Sequence, residues 1–125
     1  MIHITVPMVP PSPNELRRKY RHPHAYRKLR KQWEHDLFYG VSCSRHRNEL
    51  FACAKTVEKM CVQITVYHTR TYDEDNLQGC QKPILDALKN LGFIANDSIQ
   101  KLLLMPALQV TSKEKKTIVK VGPAI

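Results

Sequence analysis

The stretch Cys61–His68 constrains this chain more than any other. Val62, Ile64 and Val66 alternate with Gln63 and Thr65, the two-residue period of a strand with one buried face. The strand runs straight toward Tyr72-Asp73-Glu74-Asp75-Asn76-Leu77, so it delivers the chain to an acidic cluster.

The remaining segments read as follows. Ile2, Ile4 and Val6 alternate with His3 and Thr5 and predict a first strand. Pro7, Pro10, Pro11 and Pro13 then force an extended loop, and Asn14 opens a short turn. A helix is predicted from near Ala25, after Pro23. Tyr26, Leu29, Trp33 and Leu37 form its apolar stripe, Trp33 is assigned to the core, and Gly40 interrupts or ends it. A second helix is expected from about Arg45 to Met60, with Leu50, Phe51, Ala54 and Val57 inward. Pro83 suits the first turn of a third helix, Ile84, Leu85, Leu88 and Leu91 supply its buried face, and Gly92 stops it. Ile99–Met105 and Leu108–Val110 read as strand, with Pro106 placing them at an edge or bulge. Ser112–Lys116 is a polar turn and Thr117–Val121 the last strand. The prediction is a single domain, residues 1–125, of α+β class: a small mixed β-sheet with helices packed on it.

Charge narrows the partners. Twenty Lys and Arg oppose 11 acids, a formal charge of +9, which points to nucleic acid or an anionic membrane surface. Arg17, Arg18, Lys19, Arg21, Arg27, Lys28, Arg30 and Lys31 fall within fifteen residues that contain no acid, with Tyr20 and Tyr26 interleaved. A charge run on a helix is usually a solvated face, but this one is denser than solubility needs, and DNA contact is the favoured reading. No apolar run approaches the ~20 residues of a membrane span. The N-terminus lacks the pattern of a signal peptide, so a cytoplasmic protein is expected. Cys43, Cys53, Cys61 and Cys80 form no C-x-x-C pair and are expected to be reduced and mostly buried.

Against that positive background a concentration of carboxylates suggests use. Asp73 and Asp75, two apart on an extended strand end, would project to one side and reach a single ion, with Glu74 turned away. Magnesium usually takes one or two carboxylates, with water and substrate phosphate completing its octahedron. Asp97 is a further candidate ligand, and manganese is a substitute metal. Lys82 is placed to neutralise a scissile phosphate, Asn76 to orient an aspartate, and Asp86 to cap or pair locally rather than bind metal. The plain alternative is a solvated Asp-Glu-Asp-Asn turn, a turn or cap at Asp97 and a surface lysine at Lys82.

Taken in order, these residues resemble the RusA-type Holliday junction resolvases. The resemblance rests on Asp73-x-Asp75-Asn76-Leu77, then Lys82-Pro83-Ile84-Leu85-Asp86-Ala87-Leu88, then Gly92-Phe93-Ile94 and Asn96-Asp97. Val9-Pro10-Pro11-Ser12-Pro13-Asn14 also looks like the proline-rich segment after that family's first strand. Asn96 stands where the family often has an acid, Gln78-Gly79-Cys80-Gln81 resembles an insertion, and 41–59 is longer than in a minimal member. The resemblance implies a homodimeric, magnesium-dependent endodeoxyribonuclease with a RusA-like fold. It implies that Asp73, Asp75 and Asp97 carry the metal site and that Lys82 is needed for cleavage of branched DNA.

The mechanism expected on that basis is phosphodiester hydrolysis with one or two Mg²⁺ ions, which lower the pKa of an attacking water. Paired sites in a two-fold dimer would nick a four-way junction symmetrically. Two rivals stand beside it: a flap or other branched-DNA endonuclease, and a basic DNA-binding protein without catalysis. An anionic-membrane binder is disfavoured, because the basic helix carries an aromatic core stripe and no lipid anchor signal follows.

Overall fold

The computed structural model describes every residue except Asp97, Ile99 and Ile125. Its elements run β1 (Ile2–Val6), α1 (Pro13–Lys19), α2 (Pro23–Gly40), α3 (Ser44–Thr56), β2 (Met60–His68), α4 (Glu74–Gly79), α5 (Lys82–Leu91), β3 (Leu102–Leu104), β4 (Leu108–Thr111) and β5 (Lys116–Pro123). The class is α+β. Strand β2 is the spine of a mixed sheet. It pairs antiparallel with β5 on one side and parallel with β3 and then β4 on the other, while β1 pairs antiparallel with β5. Strands β3 and β4 share one edge and are separated at Pro106, whose missing N–H suits that edge.

The alternation in β2 is realised residue by residue. Met60, Val62, Ile64, Val66 and His68 are buried and the residues between them half-buried. Ile4, Val119 and Ile64 align across three strands and project to one face. Trp33 and Leu37 of α2 and Ile84, Ala87 and Leu88 of α5 join them in one core. The other face is set by the same register. Thr65 pairs with Leu108 and Ile118, Tyr67 with Val110, and Cys61 with Leu103, and none of these is buried. Leu103, Leu108 and Val110 are 43%, 49% and 42% exposed, an apolar strip at the β3–β4 edge of a face that also carries Gln63, Lys116 and Lys120.

Several boundaries differ from the sequence reading. Pro23, not Ala25, opens α2, because proline fits the first helical turn. Helix α3 stops at Thr56 instead of reaching Met60, since Met60 is needed in the sheet against Leu102 and Pro123. The turn at Asn14 is a full helix, α1. Ser12 caps it by accepting from the Glu15 N–H (3.2 Å), and Pro13 occupies the first turn. Of the strand expected over Ile99–Met105, Ile99 lies outside the described residues and β3 begins at Leu102, whose N–H, like that of Lys101, donates to the Ser98 carbonyl. Only Cys80 of the four cysteines is buried, and all four are free thiols. No described helix is long and apolar enough to cross a membrane.

Candidate active site and basic groove

The acidic segment is helical, not extended. Asp73 is the N-cap of α4, and Glu74 and Asp75 fill its first turn, where acidic side chains suit the helix dipole. Asp73 and Asp75 are therefore not alternate residues on one side of a strand. Asp73 Oδ1 accepts from the Asn76 backbone N–H (2.9 Å) and Oδ2 from the Asn76 side-chain amide (3.3 Å). Asn76 thus holds the aspartate as the sequence suggested, and both aspartates stay exposed to solvent.

Two sets of contacts fix the approach to Asp73. Gln109 Oε1 accepts from His68 Nε2 (3.0 Å) and from the Tyr72 N–H (3.0 Å), and Gln109 Nε2 donates to the Tyr72 carbonyl (2.8 Å). The Tyr72 hydroxyl donates to the Pro10 carbonyl (3.0 Å). Burial pushes the Tyr72 phenol up to about 12, and Glu15 and Cys80 add to the shift while Arg70 opposes it. On the far side of α4, Gln78 Oε1 accepts from the Ala107 N–H (2.9 Å) and Gln78 Nε2 donates to the Ala107 carbonyl (3.1 Å). Gln78 thus ties α4 to the kink between β3 and β4. A Cβ on Gly79 would meet Pro13 Cγ at 2.5 Å, so α4 sits hard against the start of α1.

Lys82 and Asp86 lie in a second cluster. Lys82 Nζ donates to Asp86 Oδ2 (3.2 Å) and stands 5.6 Å from the centre of the Tyr26 ring. The Tyr26 hydroxyl donates to the same Asp86 oxygen, so Tyr26 is engaged within the fold, in keeping with its place on the apolar stripe of α2. Burial, with the Asp86 hydrogen bond and charge behind it, raises the Tyr26 phenol far above its ordinary range. Asp86 pairs locally, as expected, and Lys82 remains mostly exposed.

The groove beside Asp73 is lined by Ser12, Asn14, Glu15, Arg18, Arg70 and Asn76, among others. Asp75 and Lys82 are not among its walls. Of the basic run, Arg18 reaches this groove. Arg17, Lys19, Arg21, Arg27, Lys28 and Lys31 are exposed elsewhere on α1, α2 and the turn between them, and Arg30 is half-buried. Lys19 pairs with Glu15 (3.8 Å) and Arg30 with Glu34 (3.5 Å), so part of the run is locally neutralised. The sequence reading missed Arg70, although a lone cation between β2 and the acids was a usable signal. It also missed Gln109, whose partners are 37 and 41 residues away.

Asp97 lies outside the described residues, and among the described residues no group of three or more His, Cys, Asp or Glu side chains is assembled for a metal. Two exposed carboxylates at Asp73 and Asp75 are still hard oxygen donors of the kind magnesium takes in ones and twos. No protein-family model matches this chain, and no curated protein matches it.

Proposed function

We infer that the chain is a magnesium-dependent, structure-specific endodeoxyribonuclease with a RusA-like fold that resolves four-way junctions as a homodimer. The observation that carries this reading is an exposed Asp73 carboxylate, clamped by Asn76, in a groove whose walls include Arg18 and Arg70. A carboxylate set among cations on a protein of charge +9 suits a metal held against a polyanion. Asp73 and Asp75 would hold the ion, with Asp97 completing the set that the resemblance implies. When bound, magnesium supplies a water of lowered pKa and neutralises phosphate charge.

The chain's own residues do the rest. Asn76 keeps the Asp73 oxygens from rotating away. Arg18 and Arg70 draw a strand's phosphates into the groove without reading sequence. Lys82 offers an ammonium for the charge that develops on the cleaved phosphate, and Asp86 and Tyr26 restrict its reach. For the dimer, a second copy covers the apolar strip of Leu103, Leu108 and Val110. Those residues lie in a stretch, 102–112, that carries no charged side chain to repel a like surface.

The test is magnesium-dependent nicking of a synthetic mobile four-way junction beside a flap of equal length. Symmetric paired nicks that disappear in Asp73→Asn, with junction binding kept, support the reading. Preferred flap cutting moves it to the branched-DNA rival. Wild-type cutting by Asp73→Asn removes the site assignment.

A further inference from the structure

None of the five strands contains an Asp or a Glu, and their only Lys or Arg residues are Lys116 and Lys120 of β5. Thr117, Val119 and Val121 alternate with these lysines and are buried, so both lysines belong to the face turned away from the core. The register sets their neighbours. Lys120 pairs with His3 and Gln63, Ile118 with Thr5 and Thr65, and Lys116 with Tyr67. None of these residues is buried. Lys116 Nζ stands 5.0 Å from the centre of the Tyr67 ring, a cation held over an aromatic face. Its paired carboxylate is Glu114, 3.8 Å away in the turn before β5, with a side chain 75% exposed, so solvent screens the pair.

These lysines continue a line of cations. Glu15, Arg70 and Tyr72 line both the Asp73 groove and an adjoining cavity, and Lys115 lines that cavity too. Lys116 is the next residue, and Lys120 follows four positions along β5, roughly 13 Å away at about 3.3 Å per residue. Strand β2 stands between β5 and the strip of Leu103, Leu108 and Val110, so the cationic band and the strip are separate surfaces. The band joins positive charge to hydrogen-bonding side chains at Gln63 and Thr65 and to one aromatic ring. That combination fits a polyanion whose remaining groups are flat and polar. A single nucleic-acid strand has this chemistry, with bases free to meet a sheet as they are not in a duplex. An acidic peptide offers the charge without the rings.

We propose that this face of the sheet carries a single DNA strand as it leaves the Asp73 groove. Its phosphates rest on Lys116 and Lys120, and its bases lie toward Gln63, Thr65 and Tyr67. Parting strands costs least at a branch point, where pairing and stacking are already interrupted. The proposal rests on the nuclease reading for its substrate, but its test does not depend on cutting.

Binding of a fluorescent single-stranded oligothymidylate is followed by anisotropy, in chelator, across a series of salt concentrations. Lys116→Gln with Lys120→Gln removes two phosphate contacts. The slope of log affinity against log salt should then fall by about 1.4, at about 0.7 per contact on a single strand, with roughly tenfold weaker binding at low salt. Lys55→Gln with Lys89→Gln takes the same charge from exposed positions on α3 and α5 and should leave the slope unchanged. A duplex of equal length should lose less affinity than the single strand. Acetylation of amines, read by mass spectrometry on the wild-type protein, needs no variant: the bound strand should shield Lys116 and Lys120 and leave Lys55 and Lys89 reactive. An unchanged slope, equal losses in the two pairs of variants, an equal loss with the duplex, or no shielding overturns the proposal. Displacement of the strand by polyglutamate of equal charge overturns it in favour of a general anion surface, and a lower mass in solution for the Lys116, Lys120 variant overturns it in favour of a second copy. Junction cutting is scored separately, so a protein that cuts without this binding loses only this proposal, and one that binds in this way without cutting loses only the nuclease reading.

Discussion

Asn76 holds Asp73 twice, by its backbone N–H on one carboxylate oxygen (2.9 Å) and by its side-chain amide on the other (3.3 Å). The first bond caps α4 and the second sets the plane of the carboxylate. Asn76→Ala removes only the second. Residues that orient a metal ligand typically carry about 10–100-fold in affinity or activity. The variant is expected to cut a junction roughly 10–100-fold more slowly, with magnesium dependence shifted to higher concentration. Its unfolding free energy from urea denaturation should fall by less than about 1 kcal/mol, because the cap survives. Unchanged cutting would mean that the amide bond is only structural.

Lys82 and Tyr26 converge on Asp86, and they differ in what they risk. The Lys82 side chain is 66% exposed, and such pairs contribute about 0–1 kcal/mol at most. Lys82→Ala is expected to unfold at nearly the wild-type urea concentration while losing most of its cutting. Asp86→Ala leaves the half-buried Tyr26 hydroxyl without its acceptor, at a cost of about 1–3 kcal/mol. Denaturation curves of the two variants side by side check this, and a larger loss in Lys82→Ala would reverse the assignment of roles.

The apolar strip at the sheet edge predicts a change of mass. Leu108→Lys with Val110→Lys puts two charges on it without touching the buried face, since both residues are about half-exposed. Light scattering should show wild-type dimer and variant monomer, with circular dichroism unchanged. A wild-type monomer at working concentration would place the second copy elsewhere or remove it.

Alkaline pH should destabilise the fold. Burial lifts the Cys80 thiol from 9.0 to about 12 and, with help from Glu15 and Cys80, the Tyr72 phenol from 10.0 to about 12. A raised pKa means the folded state keeps its proton while the unfolded state has released it. The stabilising contribution is whole below about pH 9 and is lost as pH rises from 9 toward 12. Melting temperature followed over that interval should fall, and Cys80→Ala should flatten the lower part of the slope. In the native protein Cys80 should also resist alkylation at mildly alkaline pH while exposed Cys43 reacts.

Much of the fold was legible because its signals are local. The period of Val62, Ile64 and Val66, the stripe through Trp33 and Leu37, Pro83 at a helix start and Gly92 in the left-handed conformation (φ 86°) all act within a turn or a strand pair. The two short helices, α1 and α4, are written in their caps, which local pattern alone presents as a turn at Asn14 and a strand end at Asp73. Ser12 with Glu15 and Asp73 with Asn76 are the same three-residue spacing, and proline or acid in the first turn completes each. The alternation of β2 ends at His68, and carrying it on through 69–75 is what presents Asp73 and Asp75 as a strand end.

The sequence by itself determined which residues of the central strand are buried, that the chain is basic, and that its acids cluster after that strand. Each of these depends on side-chain chemistry and short spacing alone. The tertiary structure decided which cations share a groove with Asp73, that Tyr26 turns inward to Asp86, that Gln109 anchors the loop into the acids, and that Lys116 sits over Tyr67. These pairings join residues dozens of positions apart. Nothing in local propensity specifies them, because they exist only once the sheet's register and the helix packing have brought the segments together.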